Sequence, residues 1–414
     1  MEMNAFKRTK YACYYTYVAA APVFSLPAML FATFRQMYGI SYTLLGTLVL
    51  VNFCTQLAID LVFSFFAKHF NIHKSFRVMP LLTAAGLLIY AIVPTLFPEH
   101  AYLGFLCGTF IFSVSAGLGE VLTSPMVAAL PSDNPQRDMC FLHSLYAVGV
   151  LMVVVVSTLF FRLFGTANWM YLTLFWVLLP LVSAFLLFNS KLPDVSISGG
   201  DRGTFGKSRL FGLALCTVCI FLGSAAENSM TNWISVYMEN VLHIPKTVGD
   251  ILGIALFAAL LGGGRMLYAR FGRNITNVLL CGMAGSVVCY FVANTASNMV
   301  IAMLACVLTG FSTSMLWPGT LILMEEKFPN PGVVAYALMA AGGDFGASVA
   351  PQLFGVIADT VAAQPAVIKL AEQMSVAPDQ ISIKVSMFFG GLFPLLGVVL
   401  LLYMKRYFSE HHKD

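Results

Sequence analysis

Long apolar runs set the rhythm of this chain. Twelve stretches recur, at 11–34, 41–66, 77–96, 101–127, 140–163, 169–189, 209–237, 247–267, 275–293, 298–324, 333–357 and 386–404, and most carry no charge at their centre. A helix rises about 1.5 Å per residue, so about 20 apolar residues cross the roughly 30 Å hydrocarbon core of a bilayer. The pattern predicts an all-α polytopic membrane protein with twelve transmembrane helices. The connections are mostly short, as in a packed antiparallel bundle.

Composition sharpens this picture. Hydrophobic residues make up 59% of the chain and charged residues 10%, against roughly 25% charged in ordinary globular domains. That balance argues against an aqueous enzyme. The net charge of +4 comes from scattered basic residues and leaves no nucleic-acid footprint. Cys216 and Cys219 form a C-x-x-C that could suggest a metal or redox site. The pair lies inside Leu213–Leu222 with no other ligand nearby, so packing as small apolar residues is the stronger reading. Lys7, Arg8 and Lys10 precede an apolar run as in a signal peptide, but that run continues from Tyr11 to Phe34. It is long for a signal core and reads as the first span.

Basic residues orient the spans. With a cytoplasmic N-terminus, 18 of the 23 Lys and Arg fall on the inner side, Arg265, Arg270 and Arg273 among them. Arg35, Arg162, Lys246, Lys369 and Lys384 fall outside. This fits the positive-inside rule and puts both termini in the cytoplasm. The longest inner connection, Lys191–Ser208, is polar and Gly/Ser-rich and reads as a flexible linker. It divides the chain into six-helix halves, 1–190 and 209–414.

The halves echo each other at offsets near 200 residues. Ala67-Lys68-His69-Phe70-Asn71 follows span two and Ala269-Arg270-Phe271-Gly272-Arg273 follows span eight. Ser124-Pro125 answers Trp317-Pro318, Asn134-Pro135 answers Asn330-Pro331, and Gly149 answers Gly346. Parallel repeats of this kind are a transporter plan.

On these features the chain resembles the major facilitator superfamily over essentially its whole length. The superfamily's loop signature between spans two and three is degraded here, with Lys68 at the acidic position and Asn71 at the glycine position. The second-half copy, Arg270-Phe271-Gly272-Arg273, is closer. Within the superfamily the chain looks most like the fucose and glucose/galactose permease branch. The residues that carry this are Gly117-Leu118-Gly119-Glu120, Leu142-His143-Ser144-Leu145-Tyr146, Trp317-Pro318-Gly319, and Gly342-Gly343-Asp344-Phe345-Gly346 with Pro351. Fucose permeases carry an acid in span one, and Tyr11–Phe34 has none.

Polar residues inside spans are costly and persist where they face a cavity or a partner. In span seven, Ser224, Glu227, Asn228, Thr231, Asn232 and Ser235 share one broad helical face, with Trp233 and Tyr237 extending it. Carboxylates and amides suit sugar hydroxyls, and an indole stacks on a sugar's C–H face. Glu227, Asn228, Asn232 and Trp233, with Asn52 and Gln56 of span two, Trp317 of span ten and Gln352 of span eleven, are the candidate solute contacts. Glu227 could instead be a buried acid that locks two helices together. Glu120, Asp344 and His143 are the candidates for ion coupling. A carboxyl in a partly dry cavity can take up and release a proton, and an acid in a glycine-rich helix could hold Na⁺. Helix packing competes for Asp344, and a structural hydrogen bond for Glu120. Asp60, Arg270 and Arg273, near the inner ends of spans two and eight, are gating candidates.

The expectation is a secondary active transporter in a bacterial plasma membrane, monomeric by resemblance. It would move a small polar solute, a sugar favoured, by symport with H⁺ or Na⁺. The alternative is an exporter of amphipathic drugs or metabolites by H⁺ antiport. No P-loop, H-E-x-x-H or G-x-S-x-G motif is present, so neither ATP-driven transport nor an intramembrane enzyme is expected, and no cofactor is implied.

Overall fold

The computed structural model describes residues 2–66, 69–132, 135–193, 207–328 and 332–410, which are almost wholly helical. They form two compact units, Met1–Ile40 with Val51–Gly199, and Ser41–Leu50 with Gly200–Asp414. Among the described residues, eleven helical stretches are long and apolar enough to cross a membrane, and a shorter one, Val148–Phe164, lies where the fifth span is expected. Each matches one run of the sequence in order. Large apolar side chains such as Leu103, Phe110, Leu159, Phe185, Val399 and Leu402 are exposed. A surface of that kind suits hydrocarbon rather than water.

The first unit contains α1 (Glu2–Ala19), α2 (Ala21–Tyr38), most of α3 (Tyr42–Phe66), α4 (Ile72–Leu96), α5 (Ala101–Ala128), α6 (Pro135–Phe164) and α7 (Trp169–Phe188). The first apolar run is thus two helices. They break at Ala20, just before Pro22, whose ring cannot donate a backbone hydrogen bond to the preceding turn. Small residues set how closely α4 and α5 approach. A Cβ on Gly86 would lie 2.6 Å from the Phe112 backbone nitrogen, and one on Gly108 would lie 2.7 Å from the Gly86 carbonyl oxygen. At one end the core is aromatic, with Phe34 stacked on Phe105 at 4.0 Å and edge-on to Trp169.

The opposite end of this unit is tied by polar bonds. Lys10 of α1 pairs with Asp138 in the first turns of α6, and Ser132 donates to the same carboxylate at 2.6 Å. Thr9 donates to the Lys191 carbonyl at 2.8 Å, Arg77 to that of Ser190 at 3.1 Å, and His73 to that of Pro193 at 2.8 Å. Three side chains therefore hold the chain as it leaves α7. The remainder of the expected linker, 194–206, lies outside the described residues, as do Lys68, Asn134, Asn330 and Pro331.

The second unit contains α8 (Lys207–Asn240), α9 (Lys246–Gly249), a π turn (Asp250–Ala255), α10 (Leu256–Phe271), α11 (Ile275–Thr295), α12 (Met299–Thr313), α13 (Leu316–Lys327), α14 (Gly332–Ala362), α15 (Pro365–Met374), α16 (Pro378–Gly390) and α17 (Leu392–Glu410). The tenth run breaks between α12 and α13, four residues before Pro318. The connection after span eleven holds a helix of its own, α15, beyond the apolar pattern. Cys216 and Cys219 are both fully buried in this unit's apolar core, alongside Leu279, Met283, Leu316 and Met324.

Candidate solute and coupling sites

In the first unit, α3 and α5 carry the candidates Asn52, Gln56, Asp60 and Glu120. They meet at Gly117, where a Cβ would sit 2.9 Å from the Ile59 Cβ and 3.1 Å from the Gln56 Cα. Closeness there lets side chains on either side of the crossing touch. Asn52 Oδ1 accepts from Gln56 Nε2 at 2.9 Å and from Ser113 Oγ at 2.7 Å. Ser113 also reaches the Thr109 carbonyl at 2.6 Å. All three side chains are buried. Asn52 and Gln56 are therefore bonded to each other, and Asn52 also to Ser113 of α5.

One to two turns further along the same helices lie two acids. Carboxylate oxygens of Asp60 and Glu120 approach within 4.8 Å. Asp60 is half-buried and Glu120 is exposed. Asp60 Oδ1 is buried without a hydrogen-bond partner among the described residues. The sequence assigned these acids to gating and coupling separately, whereas the fold sets them side by side.

In the second unit, α8 presents the expected polar face. Glu227, Asn228, Thr231 and Asn232 are half-buried. Their short side chains satisfy the helix first. Asn228 Nδ2 donates to the Ser224 carbonyl at 3.1 Å, Asn232 Nδ2 to that of Asn228 at 2.9 Å, and Thr231 Oγ1 to that of Glu227 at 2.8 Å. Trp233 has a different place. It is fully buried, donates its indole N–H to the Pro351 carbonyl at 3.1 Å, and stacks on Phe354 at 4.7 Å. It packs α8 against α14, with no ring face open.

Glu227 has a charged partner that the sequence reading grouped with loop cations. Arg265 of α10 brings a terminal guanidinium nitrogen to 3.9 Å from Glu227 Oε1, and its Nε donates to the Ser314 carbonyl at 3.0 Å. Proline explains that free carbonyl. In a continuous helix the residue-318 N–H would bond to the Ser314 carbonyl, but Pro318 has none. The break between α12 and α13 thus supplies an acceptor to an arginine of a neighbouring helix.

The remaining candidates are spread more widely. Asp344 is buried on α14, in a run whose glycines face α8 and α13. A Cβ on Gly342 would meet Thr217, one on Gly343 the Trp317 ring, and one on Gly346 the Phe221 carbonyl oxygen. Trp317 accordingly packs against α14. Gln352 Oε1 is buried without a hydrogen-bond partner among the described residues. Arg270 and Arg273 are exposed where α10 gives way to α11, and Arg270 lies 5.3 Å from the centroid of the Phe271 ring. The side chain of His143 lies outside the described residues.

Two further acids organise this unit and were not singled out from sequence. Asp250 is fully buried. It pairs with Lys246 at 3.2 Å and accepts from Ser235 Oγ at 2.5 Å. The four-residue spacing of Lys246 and Asp250 is the signal that could have marked it. Asp359 accepts the backbone N–H groups of Tyr42 and Thr43, a contact across more than 300 residues that no local pattern reveals.

Comparison with known proteins agrees with this architecture. The sequence profile of the Major Facilitator Superfamily matches residues 12–351. No curated protein matches the sequence. Among solved structures, a D-xylose–proton symporter superposes with a TM-score of 0.76 at 15% identity, covering 97% of each chain. A bacterial homolog of the human lysosomal transporter Spinster, inward-facing and occupied, gives 0.75 at 12% identity over 98% of each. The nucleoside transporter NupG gives 0.66 at 14% identity, covering 98% of this chain and 99% of its own. With the profile covering most of its length and the fold shared throughout, this chain belongs to the major facilitator superfamily of membrane transporters.

Proposed function

We propose that this protein is a secondary active transporter for a small polar solute, a monosaccharide-like sugar favoured, coupled to H⁺ or alternatively Na⁺. The half-buried polar face of α8 carries the reading: Glu227, Asn228 and Asn232 stand within an apolar span. An acid and two amides in that setting suit a hydroxyl-rich cargo better than an apolar one. The two carboxyls of Asp60 and Glu120, within 4.8 Å, offer a coupling cation a place to bind. The similarity to a D-xylose–proton symporter is in keeping with this, as are the fucose-permease-like motifs. The halves are 1–190 and 209–414, joined by 191–208 and working by alternating access as a monomer. The setting is a bacterial plasma membrane with both termini in the cytoplasm.

The test is uptake of a labelled monosaccharide panel into proteoliposomes under separately imposed pH and Na⁺ gradients. Accumulation of one sugar driven by one gradient is the expected result and names the ion. Absence of gradient-driven uptake for every sugar would overturn the sugar-symport reading and point to export of amphipathic compounds.

A further inference from the structure

Two ion pairs of the second unit differ in character. Lys246 and Asp250 form a closed one: 3.2 Å apart, the acid fully buried, with Ser235 bonded to it as well. Arg265 and Glu227 form an open one. Their nearest atoms are 3.9 Å apart, beyond hydrogen-bond length. The arginine side chain is 43% exposed and the glutamate 18%. The charges are close enough to neutralise each other but leave the guanidinium poorly bonded.

An arginine carries five N–H donors in a planar fork. Among the described residues only Nε has a hydrogen-bond acceptor, the Ser314 carbonyl. That bond fixes the plane of the fork while its terminal nitrogens remain available. Helical side chains lean toward their own N-terminus, so from near the end of its span Arg265 reaches back toward the α8 face. On the same helix, the side-chain oxygens of Asn228 and Asn232 accept no hydrogen bond from any described residue, their Nδ2 groups being used on the helix itself. A planar fork that faces a helix also carrying free amide acceptors is matched by a carboxylate on a cargo with hydroxyl donors.

We infer that Arg265 binds a carboxylate of the cargo, and that Glu227 is the resident counter-ion it faces when no cargo is bound. This rests on reading the α8 face as the solute site, and it narrows the cargo from polar solutes to acids, with sugar acids the first class to try.

The experiment is uptake by purified, reconstituted full-length protein of three labelled probe classes. These are glucose and galactose, glucuronate and galacturonate, and lactate and succinate. Wild type is compared with Arg265→Gln, Glu227→Gln and the double variant. The expected result is uptake of hexuronates over hexoses, reduced about tenfold or more by Arg265→Gln and not restored in the double variant. Glu227→Gln lowers hexuronate uptake less than Arg265→Gln does, because the carboxylate-binding fork is still present. Restoration by the double variant would overturn the inference, since Arg265 would then serve only to neutralise Glu227. Uptake of hexoses but not acids would also overturn it while leaving the sugar reading in place. Uptake of lactate or succinate alone would uphold the carboxylate and remove the sugar. No flux of any probe would remove both.

Discussion

Asp359 caps the helix that begins at Tyr42: its Oδ2 accepts the Thr43 backbone N–H at 2.6 Å, while Oδ1 takes that of Tyr42 at 3.1 Å. The first N–H groups of a helix have no partner within it. Here an acid from α14 satisfies two of them and places its negative charge at the positive end of α3. Tyr42 is locked from its other side too, edge-on to Trp233 and accepting from Asn240 at 3.2 Å. Asp359→Ala removes both acceptors. The loss of a cap costs about 0.5–2 kcal/mol, so a lowered midpoint of thermal unfolding in detergent is expected. Asp359→Asn keeps one acceptor and loses less.

Acid should loosen the opposite end of the first unit. Burial alone would push the Asp138 carboxyl up. The Lys10 and Ser132 hydrogen bonds, the Lys10 charge and the Tyr14 hydroxyl outweigh it and hold the group below the usual carboxylate range. A depressed folded value means the stabilisation is present above the ordinary aspartate value of about 3.9 and is lost as pH falls through the folded one. Unfolding midpoints measured from pH 6 downward should therefore drop more steeply below about pH 4 in wild type than in Asp138→Asn. Parallel curves would show that the pair contributes nothing.

Gly346 allows no larger residue. A Cβ there collides with the Phe221 carbonyl oxygen, a backbone atom fixed within α8. At Gly343 the obstacle is the Trp317 ring, which can turn aside. Overpacking costs about 1–3 kcal/mol. Gly346→Ala should stand at the upper end and lower the yield of folded protein. Gly343→Ala should cost less and shift tryptophan emission, read by fluorescence.

Coupling can be separated from binding at Glu120. A gradient of about one pH unit supports at most about tenfold accumulation at one proton per solute. Wild-type vesicles should approach that level for the transported cargo if H⁺ is the coupling ion. Glu120→Gln should stop at equal concentrations on both sides while still exchanging cargo in counterflow. Equal accumulation by both proteins would remove Glu120 from the coupling step.

The spans were legible because hydrocarbon imposes one requirement on every residue of a helix, and a linear string records it. The breaks were less so: Pro22 and Pro318 were visible, but the halves they separate read as single runs. Function depends on which helices adjoin, and hydropathy holds no trace of that. Charge counting set Arg265 beside Arg270 and Arg273, yet its side chain turns back along the span to Glu227. Trp233 reads from sequence as extending the face of the asparagines, but α14 covers it. Asp60 and Glu120 were each noticed alone, and only the close crossing at Gly117 makes them a pair.

The π turn at Asp250–Ala255 has a bearing on how this helix tolerates insertions and deletions. Such a turn accommodates one residue more than the α-helical repeat. Each residue of an α-helix turns the chain by about 100°, so without the bulge the surplus residue would swing every later side chain by that amount. The bulge absorbs the surplus locally, and Arg265 keeps the phase of a helix one residue shorter. Removal of a single residue from this segment should therefore straighten the turn and leave the arginine aimed as before. A deletion of the same size after Leu256 would rotate it away from Glu227.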